Sequence, residues 1–190
     1  LMNNTNLFTA PHIVLTAIEV DDDAATIAQW TSDSRYIPLD DDKPSHPMSA
    51  LQVKEMLTPM LKEADEKRTT FWFAICTTDE NDLLGIIGLE WVDWANGSVY
   101  MALTMKNMEA YGQPITLEAV ELMQRYVFHE LHMHRLSLNV PEYNVELVET
   151  MTSLGFKIEV RKRETLYRFG KRWDSLHFGR MAKDWEDENN

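Results

Sequence analysis

Residues 98–140 read SVYMALTMKNMEAYGQPITLEAVELMQRYVFHELHMHRLSLNV. The stretch changes period twice. Ser98–Met105 is strand-like. Lys106–Gln113 reads as a loop. From Pro114 to about His132, Leu117, Val120, Met123, Val127 and Leu131 recur at spacings of three and four, which predicts a long helix. Arg135–Val140 then alternates as a strand, with Leu136, Leu138 and Val140 on one face. A strand, a crossover helix and a second strand predict two parallel neighbours in one sheet.

Working outward, the N-terminal side of this unit is a meander. Thr70–Thr77 and Leu83–Trp94 read as strands, and Asn96-Gly97 is a hairpin turn signal before Ser98. Further upstream, His12–Ile18 alternates as a short strand. Asp21, Asp22 and Asp23 precede a helical run from Ala24 to Trp30, where acidic groups suit the positive helix end. Thr31–Pro47 is a loop containing Asp40, Asp41 and Asp42. Ser49–Lys67 is helical, with Pro59 expected to kink or divide it. On the C-terminal side, Tyr143–Leu154 reads as a helix closed by Gly155. Phe156, Ile158 and Val160 begin a strand, Gly170-Lys171 turns, and Arg172–Met181 is the last strand. The order β-α-α-β-β-β-α-β-α-β-β describes an α+β protein, a mixed central sheet flanked by helices. Leu1–Pro11 and Asp184–Asn190 are expected to be disordered ends.

The 190 residues carry 18 Lys+Arg against 31 Asp+Glu, a net charge of −13, and 44% are hydrophobic. That length suits one domain, here residues 1–190 with a core over about 12–183. No stretch approaches the ~20 apolar residues that cross a bilayer. The first dozen residues lack the charged and apolar regions of a signal peptide. A lone cysteine, Cys76, excludes an internal disulfide framework. These features point to the cytoplasm. The acidic balance argues against general nucleic-acid binding and permits a cationic partner.

Several local sequences, in order, resemble the GNAT superfamily of N-acetyltransferases, in particular its ribosomal-protein-acetyltransferase-like branch. They are Asp82–Leu89 (DLLGIIGL), Tyr111–Ala119 (YGQPITLEA), Phe128–Val140, Asn144 with Leu154-Gly155-Phe156, and Gly170, Asp174 and Phe178. The resemblance spans about His12–Lys183. It implies a GNAT-like acyl-CoA N-acyltransferase fold, with acetyl-CoA held in a V-shaped split between Ser98–Met105 and Arg135–Val140. Backbone groups near Leu103, Thr104 and Met105 would hold the pantetheine arm. Tyr111, Gly112, Gln113, Ile115 and Thr116 would present the pyrophosphate loop, a helix start being a ready anion site. Asn144 matches a residue that often contacts the coenzyme, with helix capping as its structural alternative.

The resemblance implies direct transfer of an acetyl group to a primary amine: a protein N-terminus, a polyamine or another small amine. Glu90 is the candidate base, because its strand borders the acceptor site in the family. Asp40, Asp41 and Asp42 lie in the acceptor-side loop. Glu118 matches a family residue read as a local anchor. The sequence departs from the family pattern at three places. Pro114 has no N–H to offer. Thr116 puts a branched side chain where glycine or alanine is usual, although its hydroxyl is a candidate phosphate donor. Met151 stands where many members have a proton-donating tyrosine, and Tyr143 and Tyr167 are near in sequence. These departures keep a second reading open: a degenerate GNAT fold serving as a binding or regulatory module.

Other features read more simply. His129, His132 and His134 lack a zinc-ligand spacing, so no metal is expected. Trp72, Trp91 and Trp94 suit a core or an acceptor-pocket wall. Arg161, Lys162, Arg163, Arg168, Lys171 and Arg172 read as an exposed hairpin face, or as a contact for the adenosine phosphate or an acidic partner. No nucleic acid or membrane is expected as partner. The oligomeric state stays open, with a homodimer among the options.

Overall fold

The computed structural model describes residues 6–39 and 45–189. In chain order the elements are β1 (Ile13–Thr16), α1 (Val20–Trp30), α2 (Ala50–Lys67), β2 (Phe71–Thr77), β3 (Leu83–Asp93) and β4 (Ser98–Met105). There follow α3 (Pro114–Arg125), β5 (Arg135–Pro141), α4 (Val145–Ser153), β6 (Lys157–Arg168), β7 (Lys171–Met181) and α5 (Ala182–Asn189). The seven described strands form one mixed sheet in the order β1-β2-β3-β4-β5-β7-β6. All neighbours are antiparallel except β4 and β5, which are parallel, as the crossover requires.

Helices cover both faces. In β3, Ile86 joins a cluster with Ile27 of α1 and Val53 and Leu57 of α2. Its neighbour Ile87 joins Val120 and Met123 of α3, Leu136 and Phe178 on the opposite face. Adjacent strand residues point to opposite faces, so an unbroken apolar run fits a strand covered on both sides. Each fully buried side chain of this size stabilises by about 1.5–3 kcal/mol.

Local chemistry sets the helix starts. Ser49 Oγ accepts the Gln52 N–H, and the Gln52 side chain accepts the Ser49 N–H, a reciprocal cap that opens α2. Helix α1 starts at Val20, so Asp21–Asp23 form its first turn rather than preceding it, and Asp23 accepts the Glu19 N–H. Of the two outcomes expected at Pro59, division does not occur: α2 runs through it. Pro59 and Glu55, whose carbonyl it leaves unbonded, both sit on the exposed side, where water can serve that carbonyl.

Other expectations need correction. The predicted helix to His132 is α-helical to Arg125 and then widens into a π turn over Tyr126–Glu130. Within the segment before β1, which is expected to be disordered, the described residues are packed: Phe8 lies on Phe73 and Tyr126, and Thr9 bridges to Val14. The acidic tail is helical too. In α5, Trp185 meets Phe128 and Glu188 pairs with the buried Arg180. The last hairpin turns at Phe169-Gly170, both with positive φ, one residue earlier than predicted.

Candidate active site

Strands β4 and β5 pair over three residues and then part. Ser98, Val99 and Tyr100 face Arg135, Leu136 and Ser137; no pairing follows. Beyond that level, β4 continues on β3 through Met105, and β5 continues on β7 through Pro141. The sheet therefore splits into a V with its apex at Tyr100 and Ser137. A cleft of about 690 Å³ opens there, lined by Leu103, Leu138, Asn139, Pro141 and Asn144 among others. Its volume falls in the range of small-molecule sites.

Glu90 sits at the apex. It is the register partner of Tyr100, half-buried, and lines the cleft. Immediately after it the β3–β4 ladder slips, resuming at Asp93 and Ser98. This bulge leaves Trp91 in the left-handed region at φ +49°, its indole 5.2 Å from the Tyr100 ring. Bulges re-aim side chains in this way. On the other side, Tyr36 and Ile37 close the wall. Thr104 Oγ1 donates to the Ile37 carbonyl at 2.6 Å. Arg168, from the tip of the β6–β7 hairpin, donates to the Ser34 carbonyl at 2.9 Å and to that of Tyr36. Burial pushes the Tyr36 phenol above its ordinary pKa, so it keeps its proton near neutrality.

The residues expected to hold the coenzyme divide into two groups. Leu103, Tyr111 and Asn144 line the cleft. Asn144 caps α4 by accepting the Leu147 N–H at 3.2 Å, while its fully buried amide nitrogen has no partner. Thr104 and Met105 are buried away from the lining, and the Met105 N–H donates to the Tyr111 hydroxyl at 3.2 Å. The Tyr111 phenol is itself driven up in pKa by complete burial.

The loop before α3 is turned in on itself. The Gln113 N–H donates to the Ala110 carbonyl and the Thr116 N–H to the Gln113 carbonyl, each at 3.1 Å. The Thr116 hydroxyl, expected as a phosphate donor, instead donates to the Ala110 carbonyl at 2.8 Å. Pro114 begins the helix, where its missing N–H costs least. Gly112 lies against Glu146, and an added Cβ there would come within 3.2 Å of its side chain. Ile115 is half-buried among the core side chains.

Glu118 does anchor the fold, and over a long range. Its carboxylate accepts the His12 N–H at 3.0 Å and lies 2.6 Å from His12 Nδ1. Met151 is wholly buried in α4, Tyr143 packs on Phe169 and Trp173, and Tyr167 is exposed under Arg172. The tyrosines that reach the cleft are Tyr36, Tyr100 and Tyr111, which spacing alone did not single out. Asp40, Asp41 and Asp42 lie outside the described residues. The basic hairpin is largely engaged within the fold: Arg161 bonds Glu142 and Asp174, and Lys171 stacks on Trp173. Among the described residues no group of acids, histidines and cysteine could hold a metal, and no helix is long and apolar enough to cross a membrane.

Residues 12–157 match the family model described as an acetyltransferase (GNAT) domain. The chain belongs to the GNAT acetyltransferase family. No curated protein matches its sequence. Solved structures with the same fold include a probable acetyltransferase, 20% identical with a TM-score of 0.78, covering 93% of this chain and 96% of that one. A ribosomal-protein-S5-alanine acetyltransferase from Vibrio fischeri is 21% identical, with a TM-score of 0.74 and 94% and 97% coverage. Mutant forms of the spermidine/spermine N-acetyltransferase SpeG from Vibrio cholerae are 16% identical, with a TM-score of 0.73 and 94% and 98% coverage. The split sheet of this GNAT chain is thus set in a fold it shares with acetyltransferases along nearly its whole length.

Proposed function

We propose that this chain is an N-acetyltransferase that moves the acetyl group of acetyl-CoA directly to a primary amine. We read it as a single such domain working in the cytoplasm. The observation that carries the reading is Glu90 at the apex of the split between β4 and β5. The residues present fit an extended acyl-thioester ligand. Leu103 lies on the stretch of β4 that β5 leaves unpaired, and the buried, partnerless amide nitrogen of Asn144 is a donor on the facing wall. Acetyl-CoA, when bound, would supply a thioester whose carbonyl carbon bonds the neutral amine nitrogen as the C–S bond breaks, the leaving thiolate taking up the nitrogen's second proton.

The chain's own residues do the rest. An amine enters mostly as ammonium, and Glu90 takes its proton directly or through one water. Tyr36, protonated near neutrality, and Tyr100 are hydroxyl donors in the same cleft. Asp40, Asp41 and Asp42 would add negative charge on the acceptor side.

The test is release of free thiol from acetyl-CoA across a panel of amines, with calorimetry of acetyl-CoA binding alongside. Glu90→Gln should lower kcat by about 10²–10⁴-fold, the range of general-base catalysis, with the Kd for acetyl-CoA unchanged. The inward-turned loop before α3 favours a second reading, a binding module that does not turn over. Acetyl-CoA binding without thiol release from any amine would establish that one. Absence of binding at millimolar ligand would sink both, because a ligand of the native state must stabilise it.

A further inference from the structure

The acceptor half of the cleft is walled by rings and thioethers. Trp72, Trp91, Met48, Met56 and Met60 line it together with Tyr100. Space for the first indole is built into the sheet. Trp72 faces Gly88 in the β2–β3 register, and Gly88 faces Ala102 across β3–β4. A Cβ on Gly88 would lie 2.1 Å from the Trp72 ring, so the indole occupies the space a side chain there would take. The second indole is held at a cost. Trp91 is 72% exposed, yet its backbone sits at φ +49°, where a bulky side chain is strained. Strain of this kind persists at ligand clamps, where the surroundings enforce it. Against this apolar wall, Glu90 is the one carboxylate among the described residues lining the cleft.

We propose that the acceptor is an amine with a single positive charge joined by a short link to an aromatic or broad apolar body. The body packs against Trp72, Trp91 and Tyr100, and the nitrogen meets Glu90. This inference rests on the transferase reading for the fate of that nitrogen. The rings also attract an ammonium through their faces. A polyamine brings further ammonium groups, for which the described lining offers no carboxylate beyond Glu90, so each one set against the thioethers and rings gives up water for a ring-face contact at most. Asp40–Asp42 lie outside the described residues, so spermidine is the direct challenge. A free arylalkylamine and the first residue of a peptide with a large apolar side chain offer the same chemistry.

Calorimetric titration of the full chain with 2-phenylethylamine, phenylalanyl-glycine amide and spermidine tests the proposal without turnover. One of the aromatic probes should bind about tenfold or more tighter than spermidine, and which of the two is tighter identifies the source. Trp91→Gly should weaken that probe by about tenfold, while its unfolding temperature holds or rises because glycine suits the positive φ. Trp91→Phe, which keeps a ring, should stay within about threefold of the parent. Equal or tighter spermidine binding, no binding of either aromatic probe, or undiminished affinity in Trp91→Gly would overturn the proposal. Aromatic binding without acetyl transfer would overturn the transferase reading and leave this one standing. Transfer with spermidine preferred would do the reverse.

Discussion

The two sides of the cleft treat their backbones in opposite ways. Before α3, the loop satisfies itself: Gln113, Thr116 and the Thr116 hydroxyl all donate inward, and Pro114 has nothing to donate. Across the split, β3 gives up ladder pairing after Glu90 and holds Trp91 in a strained, exposed position. A helix start attracts an anion through unpartnered N–H groups as well as its dipole, so internal bonding there weakens the site while stabilising the fold. A bulge beside a half-buried carboxylate does the opposite, giving up stability to aim side chains at a ligand. The relaxed loop reaches the cleft at Tyr111 and the strained strand at Trp91. The lesson is that a family's motif and its working surface can diverge independently.

The comparison is broken most directly on the β3 side. Gly88→Val drives a branched side chain into Trp72 and the Phe71 carbonyl. Overpacking of this kind costs about 1–3 kcal/mol, which should appear as a lower midpoint in urea unfolding. The same variant should weaken any ligand that stacks on Trp72. An unchanged midpoint would mean that Trp72 is free to move, and that Gly88 does not shape the pocket.

What the sequence made legible follows from how local each feature is. The β3–β4 hairpin was readable because Asn96-Gly97 and the Asp93 carboxylate, which accepts the Ala95 and Asn96 N–H groups, act within five residues. The parallel pairing of β4 and β5 was readable because a crossover of one hand constrains it. Asn144 as a cap was readable from its place before α4. The bulge at Trp91 was not, because the unbroken apolar run of β3 carries no two-residue period for an extra residue to interrupt. Nor was the order of the acidic tail: α5 is polar by composition, and its fixing contacts, Trp185 on Phe128 and Glu188 on Arg180, lie elsewhere in the chain. Arg168 was read with an exposed basic face. Its partners are main-chain carbonyls of Ser34 and Tyr36, and a carbonyl leaves no mark on side-chain pattern.

On the α3 side, Pro114→Gly sharpens the contrast because its two effects have opposite signs. It restores an N–H at the helix start and should tighten acetyl-CoA binding by about threefold to tenfold, the worth of one added donor to a charged group less the cost of ordering glycine. It also frees the unfolded chain, lowering ligand-free stability by up to about 1 kcal/mol. Calorimetry and thermal unfolding read the two separately. If both fall, the loop geometry rather than the missing donor limits the site.

The smallest expected effect lies where the two sides share a floor. His177 of β7 donates from Nδ1 to the Asn139 side-chain oxygen at 3.0 Å and stacks near Tyr100, and Asn139 and Tyr100 both line the cleft. Partial burial, helped by Arg135 and Lys162 and opposed by Glu159, holds its imidazole below the ordinary pKa of 6.5. The folded chain therefore binds fewer protons at this site than the unfolded chain does. By linkage, stability rises with pH between the folded pKa and 6.5, and the penalty is complete below the folded pKa and absent well above 6.5. His177→Asn keeps a polar partner for Asn139 and removes the titration. Urea midpoints should show the parent losing ground to this variant as pH falls below about 6.5 toward the folded pKa, with other titrating groups cancelling in the difference. A ligand that packs on Asn139 and Tyr100 deepens the burial of His177 and should enlarge that loss of stability and extend it to lower pH, with its onset near 6.5 unchanged. A difference independent of pH would mean that water reaches His177 freely, and that the floor of the cleft is wet on both sides.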